Sequence, residues 1–213
     1  MSNSGASKSG ATHAGGVAFR ERMAGWFALG ETDPAAGAAA GEAARSTLAL
    51  EARVAIPDVR KFAADPHHSG ELDGAVTFAP LGASMPVTSG YVRLFVASSD
   101  PNLKLMVYHV TFAGPGGDHC FDGQKLVRRH SMLHGWTDTT TLFGRLYAGP
   151  DAAGTPVGAG VLRLTLSSLA RQLLSFRALD SPTMGDRTRA LGGFFTFFAG
   201  ELIDSYLSRA RTR

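Results

Sequence analysis

The residues with the most chemistry in this chain are seven histidines and one cysteine. His130 and His134 stand four apart, a spacing that would place both on one side of a helix and suit zinc. Their segment, HSMLHGW, follows strand-like sequence and holds a glycine, and no Glu follows His130 as the metalloprotease pattern requires. No metal is therefore expected. An enzyme of unknown type would need His130, His134 and Asp138 clustered beside a pocket. Cys120 adjoins His119, but neighbours on a strand point to opposite faces, so a buried inert thiol is the simpler reading. A lone cysteine also excludes an intramolecular disulfide and a Cys-rich zinc site. Ser84 in Leu-Gly-Ala-Ser-Met-Pro lacks the glycine two residues on that a hydrolase elbow carries. Gly158-Ala159-Gly160 lacks a third glycine and leads into a strand, and no P-loop is present. Neither catalytic residues nor a cofactor are expected.

The elements that must carry any site are mostly strands. Residues 46–56 alternate, with Leu48, Leu50, Ala52, Val54 and Ile56 on one face and Thr47, Glu51 and Arg53 on the other. Further strand signals fall at 72–78, 90–97, 103–113, 121–129, 139–148 and 160–166, divided by Gly-, Pro- and Asn-rich turns. Short links imply antiparallel order, and without strand–helix alternation a Rossmann or TIM fold is not expected. Pro57 starts a short helical turn that carries Val59 and Phe62. In 18–29, Phe19, Met23, Trp26 and Phe27 form a stripe that fits a short helix or a docked arm, interrupted by Gly25. The Ala/Gly stretch 35–44 reads as a loop over the core surface. Helices are predicted from Ser167 and over 187–208. In the second, Leu191, Phe195, Phe198, Leu202 and Tyr206 make a stripe flanked by Phe194 and Phe197, most simply a core face. The expected fold is mainly β: an antiparallel β-barrel or curved sandwich of about seven strands with C-terminal α-helices. Residues 1–17 are expected as a disordered tail and 18–213 as one β-rich domain with an N-terminal arm.

Three strands set an aliphatic face against a face with a central arginine. Val92, Leu94 and Val96 alternate with Tyr91, Arg93 and Phe95; Leu142 and Leu146 with Phe143, Arg145 and Tyr147; Leu162, Leu164 and Leu166 with Val161, Arg163 and Thr165. A solvated outer face, with arginine stems lying on rings, is the simpler account. The sharper one is a groove where the arginines meet an anionic head group or a partner's carboxylate. The strand at 103–112 is apolar on both faces, so it should be covered on both, by the core and by a terminal helix or the arm. Asp138-Thr139-Thr140-Thr141 fits an Asx turn that sets register, or a polar rim at a pocket.

Composition narrows the classes. With 44% hydrophobic and 18% charged residues in 213, the chain can bury a substantial core and is not largely disordered. A net charge of +3 does not point to nucleic acid. The arginine excess, 17 against 4 lysines, fits a coding bias. No signal-peptide pattern and no transmembrane segment are found, so a cytoplasmic location is expected.

Several motifs in order add to this reading: Phe19-x-Glu21-x-Met23-x-Gly25-Trp26, Gly30-Glu31-Thr32-Asp33, Asp138-Thr139-Thr140-Thr141-Leu142-Phe143, Gly160-Val161-Leu162-Arg163-Leu164, Ala170-Arg171-Gln172-Leu173 with Ser175-Phe176-Arg177, and Phe198-x-Gly200-Glu201-Leu202. Over residues 18–207 the chain resembles the accessory, non-flavin domain of bacterial cholesterol-oxidase-like members of the glucose–methanol–choline (GMC) oxidoreductases. The resemblance implies a sterol- or lipid-oxidising setting with a flavin oxidoreductase as partner. It does not imply oxidase activity, because the flavin-binding glycine motif and the catalytic His have no counterpart here. The expected function is a non-catalytic binding or accessory module for a hydrophobic small molecule or lipid. Tyr108, Trp136 and Phe143 would contact the ligand at a barrel mouth, and Arg93, Arg145 and Arg163 would orient its polar head. The second expectation is a protein-interaction module that docks an oxidoreductase through the Arg-aromatic sheet face and the Trp26 arm. A continuous apolar cavity favours the first, and a fully packed interior the second.

Overall fold

In the computed structural model, residues 15–128 and 139–207 are described. The strands are β1 (Gly16–Leu29), β2 (Thr47–Ile56), β3 (Ser69–Phe78), β4 (Gly82–Ala97), β5 (Leu103–Gly114), β6 (Gly117–Arg128), β7 (Thr141–Ala148), β8 (Gly158–Arg163) and β9 (Arg177–Leu179). The helices are α1 (Pro34–Ala43), α2 (Val59–Ala64), α3 (Leu166–Ser175) and α4 (Met184–Leu207). Strands β1 to β8 pair antiparallel in chain order, and β1 pairs with both β2 and β8, which closes an eight-stranded barrel. Short β9 adds to β1 at Gly16–Ala18, outside the barrel proper. The mainly β fold with C-terminal helices is as expected.

The eighth strand is β1, where the expectation was a helix or docked arm. Its inward positions are Val17, Phe19, Glu21, Met23, Gly25 and Phe27, and a charged residue and a glycine break the apolar alternation. Gly16 and Val17, expected in the tail, begin this strand. Stretch 35–44 is likewise helical rather than a loop. Asp33 caps α1 by accepting from the amides of Ala35 and Ala36 at 3.0 and 2.9 Å, and Pro34 occupies the first turn. Gly37 and Gly41, one turn apart, sit against the backbone of Ala159 and Phe27, where a Cβ would collide. The helix is held by close backbone approach, so it needs no large apolar stripe.

An eight-stranded barrel is just wide enough for side chains to fill its lumen. Phe27, Phe78, Phe112 and Phe121 are fully buried and pack one end. A Cβ on Gly144 would lie 2.5 Å from the Phe121 ring, so this inward glycine makes room for that ring. The other end is roofed by helices. Phe194 of α4 packs among Phe19, Phe62, Phe176 and Phe198 at ring distances of 5.6 to 6.2 Å. It is the buried centre of the helix face, whereas Phe195 of the expected stripe is 42% exposed. Lys104 at the barrel rim pairs with Glu201 at 2.6 Å and Asp204 at 3.0 Å of the same helix.

Two local departures follow from irregular backbone. Register shifts in β4 between Arg93 and Val96, and Phe95 takes φ 55°. This turns Phe95 from the arginine face into the core, where it meets Phe198 at 5.1 Å. His68, next to a Pro-containing turn, is half-buried: its Nδ1 is 2.9 Å from the Leu94 carbonyl and its ring 4.7 Å from Phe197. On β5, Met106, Tyr108, Val110 and Phe112 face the core, while Leu103, Leu105 and Val107 are only half-buried, so that strand is not sealed on its outer face as expected.

Candidate ligand-binding site

Three polar side chains meet inside the barrel. Glu21 on β1 occupies an inward position and crosses the lumen to β5 and β6. Lys125 Nζ donates to its Oε1 at 2.6 Å, and the Tyr108 hydroxyl donates to its Oε2 at 2.9 Å. The ammonium also lies 4.8 Å from the centre of the Tyr108 ring. The Lys125 and Glu21 side chains are 3% and 1% exposed, so this is an ion pair withdrawn from water. Such a pair persists only with good geometry and satisfied hydrogen bonds, which the Tyr108 donor helps provide. Burial, then the adjoining Glu21 charge, raises the Tyr108 hydroxyl well above its ordinary value, so it stays protonated.

Above this cluster lies a cavity of about 300 Å³ between the barrel mouth and the helices. Phe19, Leu94, Met106 and Leu164 form its barrel wall, and Leu169, Phe176, Phe194, Phe198 and Leu202 its roof. Glu21, Tyr108 and Lys125 are its polar floor, with Thr139 and Thr140 at the side. The polar-rim reading of the Thr run thus has a place for these two. The helix α3 is seated over the gap along β1 between β8 and β9, where Ser175 Oγ accepts from the Arg20 amide at 2.8 Å. Thr165 caps its start. The rim carries Leu173, 55% exposed, and Phe195, with Leu174 beside them at 88%.

Of the described residues expected to bind ligand, only Tyr108 lines this cavity. Arg93 is on the outer wall, its guanidinium 4.7 Å from the centre of the Tyr91 ring. Arg145 Nε donates to the Thr32 carbonyl at 3.1 Å, also outside. Phe143 and Arg163 line a second, outer groove with Trp26, Leu126 and α1. The strand alternation that makes Leu142, Val92 and Leu162 core forces these residues outward. Trp136, His130, His134 and Asp138 lie outside the described residues. Among the described residues no group of three or more His, Cys, Asp or Glu is placed to hold a metal.

The residues that sequence reasoning missed are Glu21 and Lys125. Each had a signal: a single charge on an otherwise apolar strand face, between Phe19 and Met23 and between Phe121 and Val127, with opposite signs. Strand alternation predicts each to point inward, and two inward charges of opposite sign ask for one another.

Cys120 is fully buried on the outer side of β6, and His119 on the lumen side. Its neighbour is instead His109, with Sγ 3.7 Å from the ring nitrogens. Burial, then the charges of Asp122 and Asp151, pushes the thiol up to about 12, which is far from nucleophilic at neutral pH. Lys104, held by Glu201 and Asp204 against its desolvation, is also raised. For each of Cys120, Tyr108 and Lys104 the folded chain keeps its proton to higher pH than the unfolded one. The stability they contribute is complete below their ordinary values, the lowest being about 9 for the thiol, and is lost as pH rises beyond. Urea unfolding between pH 8 and 11 should therefore show falling stability, and Cys120→Ala should flatten the portion that begins near pH 9. A profile unchanged by that substitution would contradict the burial of the thiol.

No protein-family model, curated protein or solved structure matches this chain. Among the described residues no helix is long and apolar enough to cross a membrane.

Proposed function

We propose that this chain is a non-catalytic binding module that takes a hydrophobic small molecule or lipid into the mouth of its barrel. The observation that carries this reading is the cavity itself. One end of the lumen is packed with phenylalanine rings, while the other keeps about 300 Å³ of mostly apolar space open at an exposed apolar rim. That volume is at the lower end of small-molecule pockets, so it suits a medium-length chain or one end of a larger skeleton. Binding is favoured over catalysis because neither His nor Cys is among the described lining residues, and the Tyr108 hydroxyl holds its proton. The lipid-oxidising setting implied by the resemblance to GMC accessory domains is compatible with such a ligand, with a flavin oxidoreductase as partner.

The ligand should co-purify and be found by mass spectrometry of a solvent extract. Leu169→Trp, which pushes an indole into the cavity from α3, should weaken binding of that ligand by about tenfold or more, a change of ~1.4 kcal/mol or above. Replacing Arg93, Arg145 and Arg163 together by Met should leave it unchanged. An empty protein across a wide lipid screen, or Leu169→Trp binding as well as the native chain, would count against the reading.

A second reading rests on the outer groove, where Trp26, Phe143 and Arg163 lie against α1. It is the docking of an oxidoreductase partner on that wall. Loss of a partner on Trp26→Ala, with ligand binding intact, would favour it.

A further inference from the structure

We infer that the cavity selects ligands whose buried end is a neutral hydroxyl, as in a fatty alcohol or a sterol-like alcohol, over carboxylates and cations. This rests on the ligand-binding reading above and names the chemical class that the site takes.

The floor is polar but sums to zero charge. Glu21 and Lys125 neutralise each other at 2.6 Å, and what little of them is exposed faces this cavity. A ligand carboxylate would bring a second negative charge next to Glu21, and a ligand cation a second positive charge next to Lys125. Each would be stripped of water without a free counter-charge, which is strongly unfavourable in an apolar enclosure. The cluster nevertheless keeps hydrogen-bonding capacity. Among the described residues, Lys125 spends one of its three N–H donors on Glu21, and the Glu21 carboxylate, with about four lone-pair sites, accepts two bonds. A hydroxyl both donates and accepts, so it can serve the carboxylate and the ammonium at once. A plain hydrocarbon can serve neither.

A separate observation comes from the roof. Gln172 on α3 lines the same cavity, and its Oε1 is buried with no hydrogen-bond partner among the described residues. An orphaned buried acceptor costs stability unless something donates to it. Floor and roof thus offer a carboxylate acceptor, an ammonium donor and an amide acceptor around one apolar space. All of them are compatible with a neutral donor–acceptor group.

Titration calorimetry of the full chain at neutral pH, with 1-decanol, decanoate, decylammonium and butylbenzene as separate ligands, tests the proposal. The expected result is decanol bound at least about tenfold tighter than decanoate and decylammonium. In the triple variant Glu21→Met, Tyr108→Phe, Lys125→Met, decanol should lose about tenfold while butylbenzene stays within about twofold. Decanoate or decylammonium equal to decanol on the native chain overturns the proposal, and this comparison decides even if the variant does not fold. Decanol unweakened in a folded variant overturns it as well. Butylbenzene bound without head-group discrimination would sink only this inference. Failure of all four ligands would sink the cavity reading with it.

Discussion

Lys125→Met alone is expected to cost about 3–5 kcal/mol of folding stability. The side chain is 3% exposed and its ammonium is tied to a carboxylate that is 1% exposed. Methionine fills much of the volume, so the loss is not chiefly a packing loss. It arises because Glu21 would stay in the lumen without its counter-charge, and among the described residues the Tyr108 hydroxyl would be its remaining donor. The prediction separates two ideas that a single substitution confuses. A buried pair is costly to break, yet often no better than hydrophobic residues of the same size. The triple variant Glu21→Met, Tyr108→Phe, Lys125→Met removes every polar group of the floor together and should recover most of the lost stability. Denaturant unfolding of the native, single and triple chains at neutral pH gives the comparison. A single-variant loss below about 1 kcal/mol would put the pair in the range of solvated surface ion pairs and contradict its burial. A recovered triple that no longer prefers alcohols would show that the floor is retained for recognition rather than for stability.

Phe194→Ala is expected to be as damaging, about 3–5 kcal/mol. Phe194 is the most buried ring of α4, 1% exposed, and it joins the helix to β1 through Phe19, to α2 through Phe62 and to the end of α3 through Phe176. Gly192 and Gly193 stand just before it, each weakening the helix by roughly 1 kcal/mol relative to Ala. Packing, not propensity, therefore holds this element, and the ring being removed lies at the buried centre of that packing. The effect should concentrate on the roof. Hydrogen exchange should rise first along α4 and α3, with β2 and β6 still protected, and cavity ligands should bind more weakly. Uniform loss of protection across the barrel would mean that roof and barrel unfold as one unit.

Most of the barrel was readable from alternation alone. Residues 48–56, 106–112 and 160–164 carry an unbroken apolar row that faces the lumen. The exceptions share a cause: position-specific needs of the tertiary structure replaced the pattern. In β1 the row is broken by Glu21, which is apolar in no reading of one strand and makes sense only opposite Lys125. In α1 the buried positions are Gly37 and Gly41, chosen for thinness, so no hydrophobic stripe marks the helix. At Phe95 a shift of register moved one ring from the outer wall to the core.

The candidate site was less legible, for the same reason. Aromatic and arginine side chains are frequent ligand contacts, yet strand alternation puts Arg93, Phe143, Arg145 and Arg163 on the outer wall. Sequence by itself determined most strand faces, the antiparallel order and the helical C-terminal part. Those follow from local periodicity, which needs only neighbours a few residues apart. The closure of β1 onto β2 and β8, and with it the meeting of Glu21 and Lys125 across 104 positions of chain, was decided only by the tertiary structure. A strand's pattern tells which way a charge points. What waits on the other side of the lumen depends on how many strands close the circle.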